Sequence, residues 1–448
     1  MNPADNQEKF TCPWPFETLV VLSDGKVVCG CADPYGDRPL GYVQKTPLYD
    51  IWNGETIVAL RKGLNRGFAS FCGSCGLKRP VAEKEAIPQR PERIDVLPRL
   101  FIETSVGCNL NCFKSVCNQE SGIIRTRSRR MMPLEEFIRI INQAGGKLKR
   151  LDFFNYGEPF MHPRAVDMLE YVKSRYPHVY CYTSTNGILL DEEKIRRLVD
   201  LDMDEMTFSV DGPDQETYEK YRQKGNFARV ISNMKRLLAE RNRKGKEYPL
   251  VNWRYILFKW NDSDEKMNRT RKMARKIAVD KLVWEITDHP EEAKSEKYQT
   301  GTPGWKRIHH EIWDTSSIAS AIPNKRYLAK IRVAGKSRTQ KRGQPFTMKL
   351  TVKNTGTHNW KSATPDFIRS IRLGAQLYDE KKNLLERDFA REFLPRDIPR
   401  GEALTMNMSI PAIEQSGRYY LKFDMVAEGL IWFESNRSPV AWTELSIK

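Results

Sequence analysis

The sequence predicts an α/β chain in three parts: a partial (β/α)6 barrel, preceded by a small cysteine-rich metal-binding module and followed by an antiparallel β-sandwich. Three observations predict it. Between about Leu100 and Asp288, six short apolar runs alternate with amphipathic stretches. Five of the nine cysteines fall in short-spaced groups before residue 76. From about Lys325 onward, alternating β runs are divided by Asn-Thr-Gly, Pro-Arg-Gly and other glycine-rich turns. The expected domains are 1–95, 96–320 and 321–448, in keeping with a chain of 448 residues, too long for one ordinary core.

Composition narrows the class. No apolar run is long enough to span a bilayer, and the start, MNPADNQEKF, is too polar for a signal peptide, so a cytoplasmic location is expected. Grouped cysteines without an export signal read as metal ligands, not as a disulfide framework. The formal charge of +17 would suit nucleic acid, an anionic membrane or a phosphorylated substrate. Its densest clusters, RNRKGK and KSRTQKR, lie at an expected helix end and an expected linker, which favours a solvated surface. No nucleic-acid module is recognisable, so nucleic acid is not an expected partner.

The first module carries Cys12, the run ETLVVLSDGKVVCGC with Cys29 and Cys31, then LYDIWNGE, and FCGSCGL with Cys72 and Cys75. Asp-Gly tolerates the positive φ of a tight turn, so DGK predicts a hairpin that returns Cys29 or Cys31 toward Cys12. With Cys72 and Cys75 this makes a four-thiolate cage for zinc or an iron–sulfur cluster, and one of Cys29 and Cys31 is surplus. The proline- and charge-rich RPVAEKEAIPQRPERIDVLPR then reads as a linker.

The barrel strands are expected at LFIET, LDFFNYG, VYCYTST, EMTFSV, VNWRYILF and KLVWEIT. In such folds the chemistry sits at the carboxyl ends of the strands. After the first strand, SVGCNLNCFKSVCN brings Cys108, Cys112 and Cys117 into one loop, and three ligands leave one coordination position open. After the second comes Tyr156-Gly157-Glu158-Pro159, after the third Ser184-Thr185-Asn186-Gly187, and after the fourth Ser209-Val210-Asp211-Gly212, followed by YEKYRQKGNF with Arg222. FKWND after the fifth puts Asn261 at the mouth. Cys181, within the third strand, is the only cysteine outside the two groups.

These motifs, in this order, resemble the radical S-adenosylmethionine (radical SAM) superfamily, whose signature C-x3-C-x2-C departs here to C-x3-C-x4-C. Ser115 stands where the third cysteine is expected, and Val116 where an aromatic usually precedes that cysteine. The first module is similar to the SPASM auxiliary-cluster module, which normally follows the barrel. The resemblance implies a SAM-binding 4Fe-4S cluster on Cys108, Cys112 and Cys117, and an auxiliary iron–sulfur cluster on Cys12, Cys29 or Cys31, Cys72 and Cys75. It further implies SAM contacts from Gly157, Glu158, Pro159, Ser184, Asn186, Ser209, Asp211, Arg222 and Asn261. In that reading Glu158 meets the methionine ammonium and Arg222 the SAM carboxylate.

The implied chemistry is reductive SAM cleavage to a 5′-deoxyadenosyl radical that abstracts hydrogen from a substrate C–H bond, fed by a flavodoxin- or ferredoxin-type reductant. An auxiliary cluster would favour oxidation; a hydrogen-donating thiol would favour epimerisation, and Cys181 is the candidate for it, although its place within a strand reads first as that of a buried structural cysteine. The last domain resembles immunoglobulin-like domains appended to bacterial proteins of cell-surface polysaccharide synthesis. A sugar or polyol-type substrate, phosphorylated or carried on a nucleotide or lipid, is therefore the leading expectation. A peptide maturase is the alternative, and a non-catalytic metal-binding scaffold is the third reading. His162, near the GEP loop, reads as structural, and His309 and His310 belong to no expected element.

Overall fold

A computed structural model describes all residues except 1–8, 31, 74, 82–85, 118, 309–310, 313–326, 336, 357, 364–369, 429–430 and 437. The chain divides into two compact units, residues 1–253 with 287–294, and residues 254–286 with 295–448.

The cysteine-rich part contributes β1 (Phe10–Thr11), α1 (Trp14–Glu17), β2 (Thr18–Val21), β3 (Lys26–Val28), β4 (Gly41–Tyr42), α2 (Leu48–Trp52), α3 (Glu55–Asn65) and β5 (Arg79–Pro80). The six apolar runs of the barrel become β6 (Arg99–Ile102), β7 (Arg150–Asp152), β8 (Tyr180–Thr185), β9 (Glu205–Ser209), β10 (Leu250–Leu257) and β11 (Lys281–Ile286). Between them lie α4 (Leu134–Ala144), α5 (Ala165–Arg175), α6 (Glu192–Asp200), α7 (Gln215–Glu219), α8 (Phe227–Arg243) and α9 (Asp264–Ile277), with α10 (Pro303–Ile308) after β11. Several helices start where a side chain accepts an orphan backbone N–H: Asp191 from Lys194, Asp214 from Thr217, Asn226 from Arg229 and Ser263 from Lys266.

In the first unit the sheet runs in the order β9-β8-β7-β6-β2-β3-β4, and in the second β11 lies beside the end of β10. The expected DGK hairpin is present, with Val20 opposite Val28 and Val21 opposite Val27. Its first strand also pairs in parallel with β6, Thr18 to Arg99 and Val21 to Ile102. The cysteine-rich part is thereby an extension of the barrel sheet. The segment read as a linker is bonded to α3 and the residues before it: Asn65 Nδ2 donates to the Arg90 carbonyl, Arg61 Nη1 to that of Glu92, and Asn53 Nδ2 to that of Ile94.

Register fixes the two faces of the barrel sheet. Leu100, Leu151 and Cys181 are partners across β6, β7 and β8. They share a face with Phe153, which meets Phe137 of α4 edge-on at 5.9 Å, so this face is covered by helices. The inner face carries Arg99, Phe101, Arg150, Asp152, Tyr180, Tyr182 and Glu205. Arg99 and Arg150 both bond the buried Asp152. Burial opposes its charge, but the guanidinium groups of Arg150 and then Arg99 outweigh it and hold the carboxyl below the usual range.

A buried ion pair ties the hairpin to the barrel loop. Arg127 Nε donates to Glu103 Oε1 at 2.8 Å, with neither side chain exposed. Glu103 also accepts the Ser23 N–H, and Arg127 reaches the Pro34 carbonyl.

The last strands, all in the second unit, are β12 (Ala329–Val333), β13 (Ser337–Gln340), β14 (Phe346–Asn354), β15 (Ile371–Asp379), β16 (Leu384–Phe393), β17 (Ala403–Ile410), β18 (Gly417–Ala427), β19 (Ile431–Trp432) and β20 (Ala441–Ile447). They form a three-stranded sheet, β12-β14-β17, and a second sheet in the order β13-β20-β18-β15-β16 with β19 beside β18. Pairing is antiparallel except between β13 and β20. Period-two alternation along β14 and β17 buries one face of each. Trp360 and Trp432 are buried.

Replacing Arg127 by Met would leave Glu103 buried without its cation, at a cost of about 3–5 kcal/mol. The expected result is a lowered thermal midpoint, together with earlier proteolysis of the hairpin than in wild type. An unchanged midpoint would show the pair to be dispensable.

Candidate functional site

The loop after β6 holds Cys108, Cys112 and Cys117, and the charge of each acts on its neighbours. Two backbone bonds hang this loop on the segment after α7: Asn111 N–H to the Gln223 carbonyl at 3.1 Å and Phe113 N–H to that of Tyr221 at 2.8 Å. The two extra residues of the C-x4-C spacing are taken up locally. Lys114 adopts a left-handed backbone (φ 45°), and the Ser115 hydroxyl accepts the Cys117 N–H. Cys117 then receives the Gly157 N–H at 3.5 Å.

Gly157 has no room for a side chain. Its φ is +80°, and a Cβ would fall 2.5 Å from the Ser105 carbonyl oxygen and 2.6 Å from the Val106 carbonyl carbon.

The other loops close on the same place. Glu158 is 2 % exposed and accepts three donors: Thr185 Oγ1 at 2.7 Å, Asn186 N–H at 2.8 Å and Phe160 N–H at 3.2 Å. Burial pushes its pKa up to about 6, against the lowering effect of those bonds. A carboxylate with three acceptor positions taken has capacity for one further donor, which suits an ammonium. Asn186 Nδ2 donates to Asn109 Oδ1 at 2.8 Å and to Cys108 Sγ at 3.8 Å. The Ser184 and Ser209 hydroxyls lie 3.4 Å apart. Arg222 Nε binds Asp211 Oδ2 at 2.6 Å while its Nη1 reaches Cys112 Sγ at 3.6 Å.

A second group of thiols lies in the cysteine-rich part. Cys12, Cys29, Cys72 and Cys75 line one small cavity, about 30 Å³, with Trp14, Asp33, Arg38, Phe71 and Lys78. Among the described residues, no three His, Cys, Asp or Glu side chains are disposed to hold a single metal ion. Four thiols on the wall of one cavity are the donor set that an iron–sulfur cluster takes. Cys31 lies outside the described residues.

Burial raises six of these thiols: Cys12, Cys72 and Cys117 each to about 11 and Cys108 to about 12, with Cys29 and Cys112 also raised. The ligand form is the thiolate, so each cage calls for a positively charged centre.

Other expected residues stand elsewhere. Cys181 is on the helix-covered face, fully buried, with its thiol toward the Val179 carbonyl at 3.7 Å. That face gives it no access to the barrel interior. Asn261, in the second unit, is fully buried, its Oδ1 accepting the Phe258 N–H and its Nδ2 donating to the Ile256 carbonyl, so both ends of its amide hold its own turn. His162 is buried between the Met132 carbonyl and the Arg164 N–H, and burial lowers its pKa, a structural setting. His309 and His310 lie outside the described residues. Sequence reasoning missed Trp14, whose only signal is its place two residues after Cys12.

A parallel α/β barrel with an open three-thiol loop beside a buried carboxylate defines a SAM-binding iron–sulfur enzyme. Residues 102–267 match the Radical SAM superfamily and residues 12–76 the iron–sulfur cluster-binding SPASM domain, and the chain is a radical SAM enzyme with an N-terminal SPASM module. Its cofactors are SAM, a 4Fe-4S cluster and an auxiliary iron–sulfur cluster.

The chain is 35% identical over 117 residues to the tungsten-containing aldehyde ferredoxin oxidoreductase cofactor-modifying protein of Pyrococcus furiosus, covering 25% of this chain and 30% of that protein. It is 27% identical over 138 residues to a GTP 3′,8-cyclase of Chlorobaculum tepidum, covering 31% and 40%. The chain thus spans well under half the length of these relatives. Among solved structures, Streptococcus suis SuiB bound to its precursor peptide SuiA is similar at 15% identity and TM-score 0.35, over 56% of this chain and 57% of that one.

Two measurements test the assignments. SAM affinity is expected to fall as pH drops through about 6, where Glu158 takes up a proton and loses the charge that attracts an ammonium. The Glu158→Gln variant should bind weakly at every pH, and a pH-independent wild type would remove Glu158 from the ammonium site. Cys29→Ser should lower iron from about eight to about four per chain after anaerobic reconstitution, and Cys31→Ser should leave it unchanged. The reverse pattern would exchange their roles.

Proposed function

We propose that this enzyme cleaves SAM reductively at the Cys108, Cys112 and Cys117 loop and oxidises a peptide substrate at a C–H bond. The observation that carries the radical step is the set of three thiols in one loop, one buried and two partly buried, bounded by the Gly157 and Glu158 turn. When bound and reduced, SAM and its cluster supply a 5′-deoxyadenosyl radical. The chain's own residues do the positioning. Glu158 takes the ammonium, Pro159 holds the turn that aims it, and Asn186, Ser184 and Ser209 offer polar groups to the ribose. Arg222, set by Asp211, faces the SAM carboxylate.

A peptide is preferred to the sugar-type substrate because enzymes that mature ribosomal peptides often pair this barrel with a SPASM module. The sugar reading rests on the β-sandwich and on a basic surface that suits phosphate, and the relatives named above add nothing to it. In an oxidation, one substrate hydrogen leaves as an atom, the second as a proton to solvent and an electron to the auxiliary site. A flavodoxin- or ferredoxin-type protein is the proposed reductant. Among the described residues no helix is long and apolar enough to cross a membrane; a cytoplasmic setting belongs to the proposal.

The test is anaerobic reconstitution followed by reductant and SAM, with 5′-deoxyadenosine measured by chromatography. Wild type should form it. Cys117→Ala should drop to background while keeping about four irons in the auxiliary cage. Full turnover by Cys117→Ala would overturn its role as third ligand. Peptide and sugar-nucleotide pools, assayed in parallel by mass spectrometry, should show loss of two hydrogens in the peptide pool; loss in the sugar pool alone would reverse the substrate assignment.

A further inference from the structure

Four aromatic rings run in unbroken contact from the auxiliary thiol cage into the barrel. Trp14 forms part of the wall of the cavity lined by Cys12, Cys29, Cys72 and Cys75, and its backbone N–H bonds the Cys12 sulfur. Its ring lies 5.3 Å from that of Phe101, centroid to centroid. Phe101 is 5.6 Å from Phe154, and Phe154 is 5.3 Å from Tyr182. Tyr182 is in β8, whose continuation carries Ser184 and then Asn186, and the Asn186 amide donates to Cys108 Sγ at 3.8 Å. The row therefore starts at one thiol group and ends on the strand that touches the other.

Two cations flank the row. The Arg99 guanidinium sits 4.7 Å from the Phe101 centroid and 5.9 Å from that of Trp14, and Arg150 sits 4.7 Å from Tyr182. Asp152 bonds both arginines and fixes them there. Packing alone would be served as well by leucine or isoleucine. Contiguous π systems lower the barrel wall's barrier to electron tunnelling relative to saturated side chains, and fixed positive charge beside them favours the passage of an electron over that of a hole.

We infer that Trp14, Phe101, Phe154 and Tyr182 conduct single electrons between the auxiliary cage and the SAM site, an inference that rests on the radical SAM reading above. The route serves either direction: an electron leaving an oxidised substrate reaches the auxiliary cage, and an electron stored there can return to cleave a further SAM. Each cleavage consumes one electron, breaks the sulfur–C5′ bond and releases methionine; with no substrate present, the C5′ radical takes a hydrogen atom from a C–H or S–H bond of a buffer alcohol or thiol, which is left as the radical.

The experiment uses the reconstituted full chain, reduced at both sites by titanium(III) citrate, desalted, and mixed rapidly with SAM alone. Wild type should give two equivalents of 5′-deoxyadenosine in two phases, the second paralleling decay of the auxiliary electron paramagnetic resonance signal. Phe101→Leu and Phe154→Leu keep an apolar side chain of similar bulk, so iron content should be unchanged. In both, the first phase should keep its rate, while the second phase and the signal decay slow by about an order of magnitude. An unaltered second phase in both variants would overturn the ladder alone, as would a wild type that stops at one equivalent with the auxiliary signal persisting. Absence of the first equivalent in wild type would overturn the radical reading and the ladder with it.

Discussion

Thiols are poor anions when buried, and the fold around both cysteine groups answers that constraint. A thiol must give up its proton to act as a ligand, while burial, as at Cys108 and Cys12, pushes in the opposite direction. Iron supplies most of the compensating charge. The chain adds donors: the Gly157 N–H to Cys117, the Leu110 N–H to Cys108, and the Arg222 guanidinium to Cys112. The loops proposed to face SAM would therefore have two tasks, since Gly157 and Arg222 also bond the cysteine sulfurs. That double use explains why the YGEP turn and the segment after α7 are bound to the cysteine loop by backbone hydrogen bonds instead of by adaptable side chains.

Much of this was legible in the residues. Six apolar runs gave six strands because strand periodicity and bounding turns are local properties, and the cysteine groups were visible as spacing. The long-range features were not. DGK announced a hairpin, but nothing in TLVV says that it pairs in parallel with RLFI, so the cysteine-rich part read as a separate module followed by a linker. Cys181 could be assigned to one of two faces, and only the contact between Phe137 and Phe153 shows which face the helices cover. Asn261 read as a polar group at a strand end, yet its amide closes its own turn. The unusual C-x4-C spacing looked like damage in the sequence. It is absorbed by one left-handed lysine, and lysine carries no signal for a positive φ.

The β-sandwich contributes differently. Its strands alternate regularly and bury Trp360, Phe423 and Phe433, so its aromatic content is largely spent on a core. Sequence resemblance had made it the basis for a sugar substrate. Both thiol groups and the rings between them belong to the first unit.

The parallel pairing of β2 with β6 also bears on how the chain is made. Synthesis runs from the N-terminus, so Cys12, Cys29, Cys72 and Cys75 emerge from the ribosome before β6 exists. The hairpin of β2 and β3 can form at once, but its open edge waits for a partner encoded after the last of those cysteines. During that interval the nascent segment exposes an unpaired strand together with four iron-binding thiols. Early capture of metal would tether the segment in a compact form until the barrel arrives, making cluster delivery a step of biogenesis as well as of catalysis.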